Sequence, residues 1–178
     1  MADADTPEPA LTVIVPAVDD YATVVEVLRA VEDQTAAGDL ELLLVADSLG
    51  RLSAPADFAT RHPRVRVIEA GRPLLLNEAR ALGIDRARAA FVFLLEDHCL
   101  PMRDCMEQLI GRIREGRWAV VGPGFESGNS YSFWGQAANL LTYGEWMGYE
   151  RAEERPFVAG YPEVPPEKPL IGTVSAER

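Results

Sequence analysis

Basic residues are scarce in this chain. Seventeen Lys and Arg face 28 Asp and Glu in 178 residues, a formal net charge of −11. A general nucleic-acid binder presents a basic face, and electrostatic docking on anionic lipid asks for the same. The charge balance speaks against both. Anionic substrates stay open, because a metal ion can bridge two sets of negative oxygens. Long apolar runs are missing too, with none near the ~18 residues of a membrane helix. Residues 1–10 are acidic, hold Pro7 and Pro9, and lack the basic start and apolar stretch of a signal peptide. They read as a disordered N-terminus. Cysteine is limited to Cys99 and Cys105. One bridge would be a weak staple for this length, so free thiols in a reducing cytoplasm are expected. His98 stands beside Cys99, but no second cysteine pair completes a structural zinc site. Neither Gly-x-Gly-x-x-Gly nor Gly-x-x-x-x-Gly-Lys-[Ser/Thr] occurs, which disfavours the dinucleotide fingerprint and the P-loop. No internal repeat is visible.

What remains is an ordinary globular composition, 48% apolar and 25% charged, in a chain long enough for one domain with its own core. Residues 11–16 form a β-branched run closed by Pro16 and read as a buried strand. Asp19 and Asp20 offer N-caps to a helix near 20–36, striped by Val24, Val25, Leu28 and Val31. A second apolar run, 40–46, ends at Asp47. A short helix is expected at 55–61, a strand at 65–69, and an Ala/Leu/Arg-rich helix over 74–90. Residues 91–95 are apolar throughout, the pattern of a strand buried on both faces, and they end in Glu96-Asp97-His98-Cys99. Pro101 is expected to open a helix reaching about Gly116, and 118–121 to form a fifth strand. Alternating strands and helices imply an α/β fold: an open, mostly parallel, Rossmann-like sheet with helices on both faces. Such sheets bind ligands beyond the carboxyl ends of their strands. That rule selects the points after Pro16, at Asp47, and at Glu96–Cys99.

Each point has two readings. Alternate residues of an extended segment face the same way, so Glu96 and His98 can share a divalent cation while Asp97 points aside. The plain alternative is a solvated polar turn with a capping Asp before the next helix. Asp47 can accept from a nucleobase or ribose, or cap its own turn with Ser48 and Gly50. Beyond residue 122 the character changes. Residues 122–132 read as a loop. Residues 133–149 read as an aromatic-rich helix that covers the sheet, joins two copies of the chain, or stacks on a sugar. Residues 150–178 carry five prolines, at 156, 162, 165, 166 and 169, and read as an extended tail outside the sheet or the start of an acceptor region.

Four segments in order resemble the nucleotide-sugar-binding half of a family-2-type glycosyltransferase of GT-A fold. They are Thr12-Val13-Ile14-Val15-Pro16, Gln34-Thr35, Leu43-Leu44-Val45-Ala46-Asp47-Ser48, and Asn77-Glu78-Ala79-Arg80-Ala81-Leu82-Gly83-Ile84 followed by Phe93-Leu94-Leu95-Glu96-Asp97-His98. The resemblance covers about residues 11–122 and implies a binding domain over 11–149. It implies that Glu96 and His98 stand where the family's Asp-x-Asp acids hold Mn²⁺ or Mg²⁺, with Asp97 between them as the middle, donor-site residue or as a substitute ligand. It also implies that Pro16 and Asp47 meet the nucleoside and that Arg72 and Arg80 meet the diphosphate. The implied reaction is inverting transfer from a nucleotide-diphospho-sugar to an acceptor hydroxyl. Three departures stand out. Ala46 replaces one of two paired acids, Glu-Asp-His replaces Asp-x-Asp, and no base motif surrounds Glu126, Glu145, Glu150, Glu153 or Glu154. A nucleotide-sugar-binding module without a catalytic base is therefore the competing expectation. A nucleotidyltransferase is disfavoured, because Ala17-Val18-Asp19-Asp20 is not its Gly- and Arg/Lys-rich loop.

Overall fold

The computed structural model describes residues 8–18, 20–116, 121, 133 and 137, and the backbone of 170–174. Its elements are β1 (Leu11–Ala17), α1 (Tyr21–Glu32), β2 (Leu40–Ala46), α2 (Phe58–Arg61), β3 (Val65–Glu69), α3 (Leu76–Arg86), β4 (Val92–Leu95), α4 (Cys105–Arg114) and β5 (Leu170–Val174). The strands form one sheet in the order β3-β2-β1-β4-β5. Each neighbouring pair runs parallel. The expected α/β architecture is thus present.

Strand period explains the two-sided core. Val13, Val15, Leu42, Leu44, Phe93 and Leu95 face a layer built from α1, α2 and α4. Ile14, Leu43, Val45 and Val92 face α3. Each fully buried side chain of this kind contributes about 1.5–3 kcal/mol. Gly83 lets α3 lie against the sheet, since a Cβ there would stand 2.4 Å from Ile14 Cγ2. On the opposite layer His62 is 3% exposed. It is satisfied on both ring nitrogens, by Glu32 Oε2 at 3.0 Å and the Tyr21 hydroxyl at 2.9 Å. That contact locks α2 onto α1.

Three expectations change. α4 starts at Cys105, not Pro101: Asp104 is its N-cap residue, and Pro101 precedes the turn closed by Cys105 N–H to Met102 O at 2.9 Å. The strand expected at 118–121 falls outside the described residues except Val121, which is not in a strand. The place beside β4 belongs to β5, with Val92 opposite Leu170 and Phe93 opposite Ile171. The expectation that 150–178 stays outside the sheet is therefore corrected. Proline removes backbone donors, but the last proline is Pro169, and Leu-Ile-Gly-Thr-Val follows it without one. The expected N-terminal disorder concerns residues 1–7, outside the described residues, together with 8–10. Of these, Ala10 is held by its N–H to Asp39 O at 2.8 Å.

The amino ends of the strands carry a satisfied acid. Glu41, 4% exposed, accepts from the Thr12 hydroxyl at 2.7 Å, from Arg88 N–H at 2.8 Å and from Arg88 Nε at 2.8 Å. Arg66 adds an ion pair at 2.9 Å. Burial pushes the Glu41 pKa up, but the hydrogen bonds from Arg88 and Thr12 and the two guanidinium charges together carry it below its ordinary value. The opposite ends of the strands are arranged differently.

Candidate functional site

The strand order reverses at β1. The chain goes from β1 to β2 and β3 on one side, then returns to β4 on the other. Ligands of open α/β sheets bind at this switch, beyond the carboxyl ends. At ~4.8 Å per strand step, the ends of β2 and β4 stand about 10 Å apart across β1.

At the β2 end the turn satisfies itself without Asp47's carboxylate. Ser48 Oγ accepts from Arg51 N–H at 3.2 Å, and Glu69 Oε1 accepts from Leu49 N–H at 2.7 Å. Gly71, at φ +69°, gives its N–H to Asp47 O at 2.9 Å and so ties the exit of β3 to this turn. Asp47 Oδ2 is left buried with no hydrogen bond. Arg51 Nε lies 2.9 Å from it as an ion pair only. A cleft of about 160 Å³ opens here, lined by Ala17, Val18, Asp47, Ser48, Arg51 and Pro73 among others.

At the β4 end, Cys99 N–H donates to Glu96 O at 3.2 Å and folds residue 99 back over residue 96. Donor atoms of Glu96, His98 and Cys99 then lie within 4.8 Å of one another. His98 Nε2 is 3.4 Å from Glu96 Oε2, and His98 Nδ1 is 3.1 Å from Asp97 Oδ1. Arg80 Nη2 reaches Glu96 Oε1 at 3.0 Å from α3. Asp97 is 5% exposed, and its Oδ2 has no partner. Among the described residues, only Asp47 Oδ2 and Asp97 Oδ2 are buried side-chain polar atoms without a hydrogen bond, and of the two only Asp47 Oδ2 has an ion pair, with Arg51. An unpartnered buried acceptor costs about 1–3 kcal/mol. Both sit at carboxyl ends on either side of β1.

The segment after this turn is fixed by Gln34, 4% exposed. Its amide donates to Ala30 O and Met102 O at 3.0 and 2.8 Å, and its oxygen accepts from Met106 N–H at 3.0 Å. Thr35 N–H donates to Arg103 O at 2.9 Å. Gln34-Thr35 therefore clamps the end of α1 to the entry of α4.

The structure brings together Glu96, His98, Asp97 and Arg80, and separately sets Asp47 in the cleft. Pro16 is buried within β1 beside Val45; Ala17 and Val18 form the cleft wall instead, because the strand runs one residue further than expected. Arg72 is exposed and paired with Glu78 at 2.9 Å. Its hydrogen bond holds the Glu78 carboxyl below its ordinary value, and Glu78 also accepts from Leu75 N–H at the start of α3. Cys99 and Arg51 were not singled out as site residues from sequence. For Cys99 the signal is its adjacency to Glu-Asp-His; for Arg51 it is the four-residue step from Asp47. Glu126, Glu145, Glu150, Glu153 and Glu154 lie outside the described residues. So does the 131–149 aromatic region, apart from Phe133, which is exposed, and Ala137.

The family model described as glycosyl transferase family 2 matches residues 12–162. The chain belongs to that family. A human relative, polypeptide N-acetylgalactosaminyltransferase 16, is 23% identical over 158 residues, covering 86% of this chain and 28% of that protein. The solved structure of S. aureus TarS superposes with a TM-score of 0.51 at 15% identity, covering 67% of this chain and 22% of that one. This family-2 chain thus spans under a third of the length of these relatives, and the second likeness is one of fold. Among the described residues no helix is long and apolar enough to cross a membrane. The β4-end donors of this family-2 domain are one oxygen, one nitrogen and one sulfur. Such a set suits a borderline divalent ion and not hard Mg²⁺, which prefers oxygen ligands and water.

Proposed function

We propose that the chain is the donor-binding part of a metal-dependent glycosyltransferase, transferring a sugar with inversion from a nucleotide-diphospho-sugar to an acceptor hydroxyl. The observation that supports it most is the pair of buried oxygens without a hydrogen bond, Asp47 Oδ2 and Asp97 Oδ2, at the two strand ends that flank the switch. A cleft of about 160 Å³ is smaller than the ~300–1,000 Å³ of a whole-ligand pocket. It suits one ring of the donor, with Asp47 accepting from a base N–H or a ribose hydroxyl. The diphosphate then runs across β1 toward β4.

Glu96 and His98 hold the ion, Mn²⁺ in preference to Mg²⁺. Asp97 Oδ1 keeps the His98 proton on Nδ1 and leaves Nε2 as the donor atom. When bound, the ion acts as a Lewis acid that offsets charge on the leaving diphosphate. Arg80 is the cation poised at this point: it now neutralises Glu96 and would turn to a phosphate oxygen in the loaded site. Arg72, spent on Glu78, is the weaker of the two diphosphate candidates. Deprotonation of the acceptor needs a carboxylate base, for which the downstream glutamates are candidates. The cytoplasmic setting follows the two reduced thiols, and contact between copies through 131–149 belongs to the same proposal.

A thermal-shift panel of UDP-, GDP- and dTDP-sugars, with Mn²⁺ and with EDTA, tests it. Ligand at about 100 times its Kd adds ~2.7 kcal/mol, roughly 5–11 °C for a chain of this size. One donor class should give that rise in Mn²⁺ and lose most of it in EDTA. No rise with any donor in Mn²⁺ overturns the reading. Donor binding without sugar transfer to any acceptor supports a binding module instead.

A further inference from the structure

We infer that Cys99 Sγ is a third protein ligand of the ion at the β4 end, and that the site is tuned to thiophilic divalent ions such as Co²⁺, Zn²⁺ or Cd²⁺. This rests on the reading of Glu96 and His98 as ion-holding residues and adds to it the sulfur. The turn closed by Cys99 N–H to Glu96 O at 3.2 Å brings residue 99 against residue 96. The three donor atoms lie within 4.8 Å. A shared ion at ~2.0–2.3 Å from each ligand asks for separations of at most about 4 Å. The Glu96–His98 pair, at 3.4 Å, already meets that.

The unpartnered Asp97 Oδ2, on a side chain 6% exposed, is an independent sign that this turn is built around something besides itself. Cys99 is fully buried and His98 is half-exposed. The sulfur therefore backs the site, and the half-exposed His98 side is open to solvent, where a phosphate would complete it. On binding, the thiol S–H bond breaks, its proton passes to solvent, and the sulfur electron pair forms the bond to the ion. A soft sulfur donor raises affinity for Co²⁺, Zn²⁺ and Cd²⁺ relative to Mn²⁺ and disfavours Mg²⁺. Cys105 is the internal control: it is buried on α4 and stands outside the donor cluster. The competing role for Cys99 is that of a small core side chain, since it also packs with the cluster around Phe93 and Leu95.

The test is titration of Co²⁺ into the full reduced chain, read by absorption and by calorimetry. Wild type and Cys105→Ser should both develop a near-ultraviolet thiolate-to-cobalt charge-transfer band. Cys99→Ser should lack it and bind Co²⁺ at least about tenfold more weakly. His98→Ala should lose affinity in parallel. Should Cys99→Ser fail to fold, the band in Cys105→Ser still decides, because Cys99 is then the sole thiol. Co²⁺ bound by wild type with no such band overturns the sulfur ligand and leaves the Glu96–His98 reading intact. No Co²⁺ binding at all overturns both.

Discussion

The two ends of the sheet treat buried acids in opposite ways. At the amino ends Glu41 takes three hydrogen bonds and two arginines, so its charge is met from within the chain. At the carboxyl ends Asp97 is buried to a similar degree and Asp47 is partly buried, yet each keeps an oxygen without a hydrogen bond, that of Asp47 facing only the exposed Arg51. Folding alone would favour the first arrangement everywhere, because an unmet buried acceptor is a cost. The second persists where a ligand supplies the missing partner, the usual trade between stability and function. One end of the sheet holds the fold; the other is the end to which the proposed function assigns the donor.

Removing the satisfied acid should do the most damage. Glu41→Ala leaves the Thr12 hydroxyl and Arg88 N–H without their acceptor and two guanidinium groups without their counter-charge. Both arginines are about half exposed, so the expected loss is about 2–3 kcal/mol, below that of a fully buried pair. Denaturant midpoints measure it, and donor binding should be unchanged. Next in size is Gly83→Ala, where the new Cβ meets Ile14 in the middle of β1. Overpacking of this kind costs about 1–3 kcal/mol, and the outward push on α3 should also loosen Arg80 from Glu96, weakening diphosphate binding in calorimetry.

Much of the fold was legible because the alternation of strand runs and helix stripes is local. The apolar run 91–95 reads by itself as a strand buried on both faces, and β4 occupies Val92–Leu95 of it. The misses have physical reasons. Pro101 carries a helix-start signal, but the turn through Met102 and Arg103 is fixed by Gln34 from far away in sequence, which delays α4. β5 was hidden by the prolines before it. At the end of β4, the closeness of Glu96 and His98 was legible from strand-end alternation. Cys99 was not, because a turn, and not an extended segment, places it. The role of Glu41 was invisible, since its partners Thr12, Arg66 and Arg88 are 25 or more residues away.

A pH titration sharpens the contrast. The Glu41 carboxyl is lowered from 4.5, so in the folded state it binds its proton at lower pH than in the unfolded state. The stability it contributes is present above pH 4.5 and is lost as pH falls through the folded value. Urea midpoints measured from pH 6 downward should fall below pH 4.5 in the wild type and fall less steeply in Glu41→Gln. The smallest effect is expected from Asp97→Asn without ligand. Neutralising an unmet carboxylate should leave the Tm within about 2–4 °C of the wild type or raise it, while weakening Co²⁺ or Mn²⁺ binding by about tenfold through the loss of its support of His98.

Calorimetric titration of wild type and Asp47→Asn with UDP, GDP and dTDP in Mn²⁺, alongside their unliganded Tm values, tests the division of the sheet most directly. The account predicts that Asp47→Asn stays within about 2–4 °C of the wild-type Tm, because the pair it loses with exposed Arg51 contributes little, while binding the preferred nucleotide about 1.5–3 kcal/mol more weakly, the size of a lost hydrogen bond to a charged group. A lowered Tm with unchanged affinity for every nucleotide that the wild type binds would contradict it.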